Sequence, residues 1–182
     1  DYLTDEIVTD IDFVINEDIK KFAKKISKNN IIVKDNYIKY KTISLIINKK
    51  EYHVTSFRKD LISYGRSALV DIAASLNDDV KRRDFTINSL YLDSKGNLTD
   101  FLNGESDLIR RKLVFIGNPV ERIEEDYLRI IRFCRFSGNF ESKISKNLKK
   151  EITLRVPKII NLSNKRIRDE IDKILLTKNC YK

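Results

Sequence analysis

Lys81-Arg82-Arg83-Asp84-Phe85-Thr86-Ile87-Asn88-Ser89-Leu90 sets two adjacent guanidinium groups, a carboxylate and an amide within seven residues, 82 to 88. The planar fork of arginine donates paired hydrogen bonds to phosphate oxygens. A carboxylate and an amide beside it can meet the hydroxyls of a sugar. Together they suit a site that holds a nucleotide by its phosphates and ribose. The same residues would also serve as a charged cap on a strand or helix. The apolar spacing of Phe85–Leu92 fits a strand and a helix start equally well.

Upstream, Val8-Thr9-Asp10-Ile11-Asp12-Phe13-Val14-Ile15 alternates β-formers with carboxylates and reads as a strand. Residues two apart on a strand share a face, so Asp10 and Asp12 project together while Ile11 and Phe13 are expected in the core. Paired hard-oxygen ligands can hold Mg²⁺, and two such ions activate the oxygens of a phosphoryl transfer. A solvated strand face is the plainer reading of the same pair. A helix is expected over 16–28, then strands over 31–33, 38–47 and 52–57 with turns between them. Residues 59–77, broken by Gly65-Arg66, lack clear periodicity and read as a partly mobile loop.

Downstream, Asp93-Ser94-Lys95-Gly96-Asn97 is a turn with a short extension over 98–101. A short helix over 105–111 and a short strand over 113–116 follow. Past Gly117-Asn118-Pro119 the pattern becomes helical, with helices expected over 121–140, 145–153 and 163–176, the last opened by Ser163. The fold class is therefore α+β: a mixed lobe over 1–117 and an all-helical lobe over 118–182.

In the 121–140 helix, Ile123, Tyr127, Ile130, Ile131 and Cys134 recur at core-facing spacing. Asp126, Arg129, Arg132 and Arg135 recur every third residue and wind around the other side. Asp accepts and Arg donates, so the set could pair with the edge of a base. A surface helix with an Asp126–Arg129 pair is the alternative. Phe133 and Phe136 interrupt that supposed solvent face, which implies that something covers it.

With 36 Lys+Arg against 27 Asp+Glu, the formal charge of +9 favours an anionic partner such as nucleic acid. Abundant Lys, Asn and Ile would also follow from AT-rich coding. No apolar run approaches the roughly 18 residues of a membrane helix, and no membrane partner is expected. Cys134 and Cys180 form neither a metal spacing nor a disulfide framework. A reducing compartment is expected, the cytoplasm or, in a eukaryote, the mitochondrion. The absence of methionine and the start at Asp1 suggest a trimmed piece of a longer chain.

These motifs, in this order and spacing, resemble the class II tRNA nucleotidyltransferases (CCA-adding enzymes) and the related bacterial poly(A) polymerases. Asp10-Ile11-Asp12 resembles the family's metal-binding motif, and Arg82 through Asn88 its ribose- and phosphate-binding motif. Glu125-Asp126-Tyr127-Leu128-Arg129 resembles the amino-acid template for the incoming base, with Arg132 and Arg135 as further nucleotide contacts. Asp60 through Arg66 resembles the flexible element between head and neck. Asp100–Gly104 with Asp107-Leu108 resembles the loop before the neck, and 163–175 the last neck motif.

The resemblance implies a polymerase-β-type head on a helical neck. It also implies template-independent transfer from CTP and ATP to the 3′ end of tRNA, with two Mg²⁺ on Asp10 and Asp12. Arg82 or Arg83 would steady phosphates, Asp84 and Asn88 would approach the ribose, and Asp126 and Arg129 would read the base. Poly(A) polymerase, or a non-catalytic remnant that still binds RNA or nucleotide, are the alternatives. The family's Gly-Gly-x-x-Arg-Asp loop would end at Asp1, and its body and tail would lie beyond Lys182. Residues 1–182 alone are therefore expected to bind nucleotide weakly and extend tRNA poorly. His53 stands where many relatives carry a third carboxylate, and is expected to be a strand residue rather than a ligand. Lys165 replaces the usual Glu before Arg166-Ile167.

Overall fold

The structure, a computed structural model, describes residues 11–27, 31–35, 37–62, 69–72, 75–140 and 144–176. Its contacts divide into two units: residues up to Ile62 together with Leu69–Arg82, and residues from Arg83 onward. This packing line falls well before the compositional change near residue 117, because Phe85 and Phe115 share one core with the later helices.

The first unit is built on a four-stranded sheet in the order β1-β4-β3-β2. Its strands are β1 (Asp12–Ile15), β2 (Ile32–Lys34), β3 (Thr42–Ile47) and β4 (Lys50–Ser56). Strand β1 runs parallel to β4, and the other pairs are antiparallel. The expected strand over 38–47 begins only at Thr42, since Ile38–Tyr40 form a 3-10 turn closed by Lys41 at φ 58°. Helix α1 (Ile19–Ile26) starts where the Asp18 carboxylate accepts the N–H groups of Lys20 and Lys21. Its Ile19, Phe22, Ala23 and Ile26 pack with Ile43, Leu45 and Val54. The opposite face is polar: Thr42 and Thr55 hydroxyls bond at 2.9 Å, and the Ser44 hydroxyl bonds His53 Nδ1 at 3.0 Å.

Residues read as a loop over 59–77 hold more structure than the sequence suggested. Strands β5 (Arg58–Ile62) and β6 (Leu69–Ile72) pair as an antiparallel ribbon with a register shift between Asp60 and Ile62. Neither Arg58–Ile62 nor Leu69–Ile72 alternates apolar and polar residues, which is why the pattern missed the ribbon. Helix α2 (Leu76–Lys81) follows, capped by Ser75.

The second unit opens with Phe85 bridged to Phe115, the Thr86–Asn88 3-10 turn, and the two-stranded pair β7 (Tyr91–Leu92) with β8 (Leu98–Thr99). Asp100 accepts the N–H groups of Leu102, Gly104 and Glu105, fixing the entry to α3 (Gly104–Ile109). A Cβ on Gly104 would lie 2.2 Å from the Thr86 carbonyl oxygen, so only glycine permits this approach. Thr86 in turn donates its hydroxyl to Asp107 at 2.7 Å.

The helix expected over 121–140 is two helices, α4 (Pro119–Glu125) and α5 (Leu128–Phe140). Asp126 breaks them: its backbone is extended and its carboxylate accepts the Leu128 N–H at 3.1 Å, as at a helix start. Helices α6 (Lys146–Arg155) and α7 (Asn164–Leu175) complete the unit. Ser163 occupies the cap position of α7 but its side chain makes no capping bond. The core joins Phe85, Leu113, Phe115, Ile123, Ile130, Phe133 and Ile152. Ile123, Ile130 and Ile131 are buried and Tyr127 packs against that core, as their spacing predicts, whereas Cys134 is exposed and Phe133 takes its place on the buried side.

Candidate functional site

In the sheet unit, Asp12 is exposed at the start of β1 and lies in register with His53 on the parallel neighbour β4. Register partners on adjacent strands project to the same side, so Asp12, His53 and Ser44 form a row across the polar face. Asp10 lies outside the described residues. Phe13 falls in the row of Val54 and Ile43, on the α1 side, yet it and Ile11 are half-exposed rather than in the core. The Phe13 ring meets that of Tyr52 at 6.1 Å. Asp60 sits in β5 opposite Val70, and Arg66 lies outside the described residues.

Arg82 closes the same unit. Its Nε donates to Asp79 Oδ1 at 2.8 Å, and its Nη2 lies 2.7 Å from the same oxygen of that buried carboxylate. This pair anchors the end of α2, so Arg82 and Arg83 take different work despite their adjacency.

In the second unit, Arg83 donates through Nη1 to the Asn88 carbonyl at 3.0 Å and lies over the Tyr91 ring at 5.0 Å. Asp84 is 7% exposed and uses both oxygens. Oδ1 accepts the Phe85 N–H and the Asn88 side-chain amide, each at 2.9 Å, while Oδ2 accepts Arg132 Nε at 2.6 Å. Burial works to raise the Asp84 carboxyl, but the Arg132 guanidinium and these hydrogen bonds hold it below the usual carboxylate value. Arg132 is correspondingly raised: burial opposes its charge, and the Asp84 and Glu170 carboxylates overcome that.

The α5 arginines end on carboxylates from elsewhere in the unit. Arg132 Nη1 reaches Glu170 Oε1 at 3.4 Å, and Arg135 Nε donates to Glu170 Oε2 at 2.9 Å. Both guanidiniums lie over the Phe136 ring, at 5.8 and 4.2 Å. Arg129 Nη1 donates to Glu125 Oε2 and to the Arg122 carbonyl, both at 2.6 Å. Arg122 shares that Glu125 oxygen and donates to the Arg83 carbonyl at 2.8 Å. Asp126 Oδ2 accepts Arg166 Nη2 at 2.6 Å. Asp84, Asn88, Arg132 and Arg135 are thereby brought into one connected network, and Asp126 and Arg129 stand in two neighbouring clusters on the same helix start.

Sequence reading missed Glu170, the buried acceptor of two of these arginines. A signal was present: Glu170 interrupts the apolar stripe of Ile167 and Ile174 on α7, and an acid on a buried stripe requires a cationic partner.

Residues 1–114 match the family profile described as poly A polymerase head domain. A CCA-adding enzyme of Streptococcus gordonii is 40% identical over 141 residues, covering 76% of this chain and 35% of that enzyme. The chain spans only about a third of the length of such curated relatives. Among solved structures, the crystal structure of the Bacillus stearothermophilus CCA-adding enzyme in complex with CTP superposes with a TM-score of 0.82 at 26% identity. It covers 94% of this chain and 41% of that one. A tRNA nucleotidyltransferase complexed with a primer tRNA and an incoming ATP analog superposes with a TM-score of 0.76 at 26% identity. It covers 98% of this chain and 51% of that one.

Proposed function

We propose that this chain, which belongs to the poly A polymerase head domain family, transfers nucleotidyl groups from CTP and ATP to the 3′ end of tRNA. The observation that carries this reading is the fold-wide likeness to a CTP-bound CCA-adding enzyme, together with the arginine–carboxylate network around Asp84 and α5. Residues 1–117 are read as the catalytic head and 118–182 as the neck.

Within this reading, Asn88 meets the ribose, held in place by the Asp84 carboxylate. Arg83, braced over Tyr91, steadies phosphate with the fork geometry that suits it. Arg82, committed to Asp79, anchors the end of α2. Asp126 and Arg129 present acceptor and donor atoms toward the base, and Arg132 and Arg135 extend that edge along α5. Asp12 offers a hard, exposed carboxylate oxygen on a polar sheet face, which fits Mg²⁺; Asp10 is its expected companion. Two Mg²⁺ bound there would supply charge stabilisation for attack of the primer hydroxyl on the α-phosphate and departure of pyrophosphate.

The test is single-nucleotide addition to tRNA ending at its discriminator base, using the full-length protein. Asp12→Ala should lower turnover roughly a hundredfold or more with little change in thermal midpoint, and should weaken Mn²⁺ binding followed by electron paramagnetic resonance. Near-normal turnover in that variant would remove the metal assignment. Arg129→Ala should relax the preference for CTP and ATP over UTP and GTP, whereas equal loss with all four would make it a structural contact. Long products from ATP alone would identify a poly(A) polymerase instead.

A further inference from the structure

Arg132 and Arg135 are held in an arrangement that a phosphate-gripping pair would not need. Glu170 projects from α7 and is 4% exposed, and it takes Arg132 on one oxygen and Arg135 on the other. Asp84, also buried, takes Arg132 Nε. Two buried carboxylates therefore face two guanidiniums, and the formal charge of the set is zero. Lys173 approaches Glu170 at 3.5 Å, but its side chain is largely exposed and adds little. A neutral set draws a triphosphate only weakly through charge. It retains direction, because hydrogen bonds through Nε lock each guanidinium plane.

The donors that remain point to what the set can read. Among the described residues, Arg132 Nη2 and both Nη atoms of Arg135 make no protein hydrogen bond. Their side chains are 30% and 16% exposed, so neither guanidinium is sealed in the core. The Phe136 ring lies beneath both guanidiniums, closely under Arg135 and more loosely under Arg132, and supports them from one side.

We infer that Glu170 is a positioning residue for nucleotide discrimination: it neutralises Arg132 and Arg135 and aims their outer N–H groups at the acceptor atoms of a nucleobase or ribose. The inference rests on the reading that these arginines contact the nucleotide. Glu170 itself touches no substrate; it acts through the two arginines.

Calorimetric binding of CTP, ATP, UTP, GTP and inorganic pyrophosphate to the full-length protein and to Glu170→Gln tests this. Loss of one carboxylate charge should leave the arginines cationic and loosely oriented. Discrimination of CTP and ATP against UTP and GTP should then fall about tenfold, the weight of one charge-assisted hydrogen bond. Pyrophosphate, which has no base, should bind roughly threefold tighter as the local charge becomes positive. A merely structural role would instead weaken all five ligands together and lower the thermal midpoint. Glu170→Asp keeps the charge with a shorter reach, so it should lose discrimination without gaining pyrophosphate affinity, and it serves if the Gln variant fails to fold. Wild-type discrimination retained in either folded variant, or a uniform loss across all five ligands, would overturn the role of Glu170. Absence of discrimination in the wild-type protein would instead overturn the nucleotide reading on which it stands.

Discussion

The sheet unit is held by aliphatic side chains, Ile19, Ile43, Leu45 and Val54, whose partners come from strands paired within about a dozen residues or a single crossover. In the helical unit the Phe85, Phe115 and Phe133 rings pack with centroids 4.8 to 6.2 Å apart, and part-buried ion pairs join its elements. Those pairs span 48 residues from Asp84 to Arg132, 35 from Arg135 to Glu170 and 40 from Asp126 to Arg166. Hydrophobic burial tolerates exchange among similar shapes, whereas an ion pair out of water demands its partner. The helical unit should therefore be the less forgiving of the two.

The largest effect should come from its aromatic centre. Phe133→Ala removes a ring that stacks on Phe115 at 5.4 Å and should cost about 4 kcal/mol. Chemical denaturation followed by amide exchange should show the loss at α5 while 43–54 keep their protection. Equal loss of protection in both regions would mean that the two units unfold as one.

Asp84→Ala comes next, at about 3 kcal/mol, the low end for a broken buried pair because Arg132 is 30% exposed. It should also free Asn88 and weaken nucleotide binding. A stability change below about 1 kcal/mol, the scale of an exposed pair, would show the network to be well solvated.

A smaller contrast should appear on acidification. The folded Asp84 carboxyl lies below its unfolded value, so its contribution is fully present above the unfolded value of about 4 and is lost as pH falls through the folded one. Amide protection of α5 should then decline below about pH 4 before that of β3 and β4. Asp18 in the sheet unit is lowered too, by its backbone hydrogen bond from Lys21, but it is exposed and contributes little. Simultaneous loss in both regions would remove the distinction.

The smallest effect belongs to the sheet unit's Lys34–Glu51 pair, 3.7 Å apart with both side chains 45% exposed. Removing either partner should change stability by about 0.5 kcal/mol or less, measured by urea denaturation.

This contrast also explains what could be read without coordinates. Period-two alternation located β1, β3 and β4 because strand burial repeats over a few residues. The motif residues Asp84, Asn88, Asp126, Arg129, Arg132 and Arg135 stood out by type and spacing. Their actual partners did not, since nothing local couples Arg132 to Asp84 or to Glu170 across the chain. The β5–β6 ribbon escaped notice because neither of its strands alternates apolar and polar residues. The break at Asp126 was missed because the apolar spacing of 121–140 fits one continuous helix, and only the competing carboxylate cap divides it.

Asp126 has a consequence for any effort to retune what the protein accepts. One of its oxygens starts α5 and the other grips Arg166 on α7, so the residue belongs to two obligations at once. A substitution chosen only for a new donor–acceptor pattern would unseat the helix start and strand the Arg166 charge. On the proposed base-reading role of Asp126, changes of specificity at this position are therefore bound to compensating change at 166, and a library that varies both together will reach sequences that single-site searches cannot.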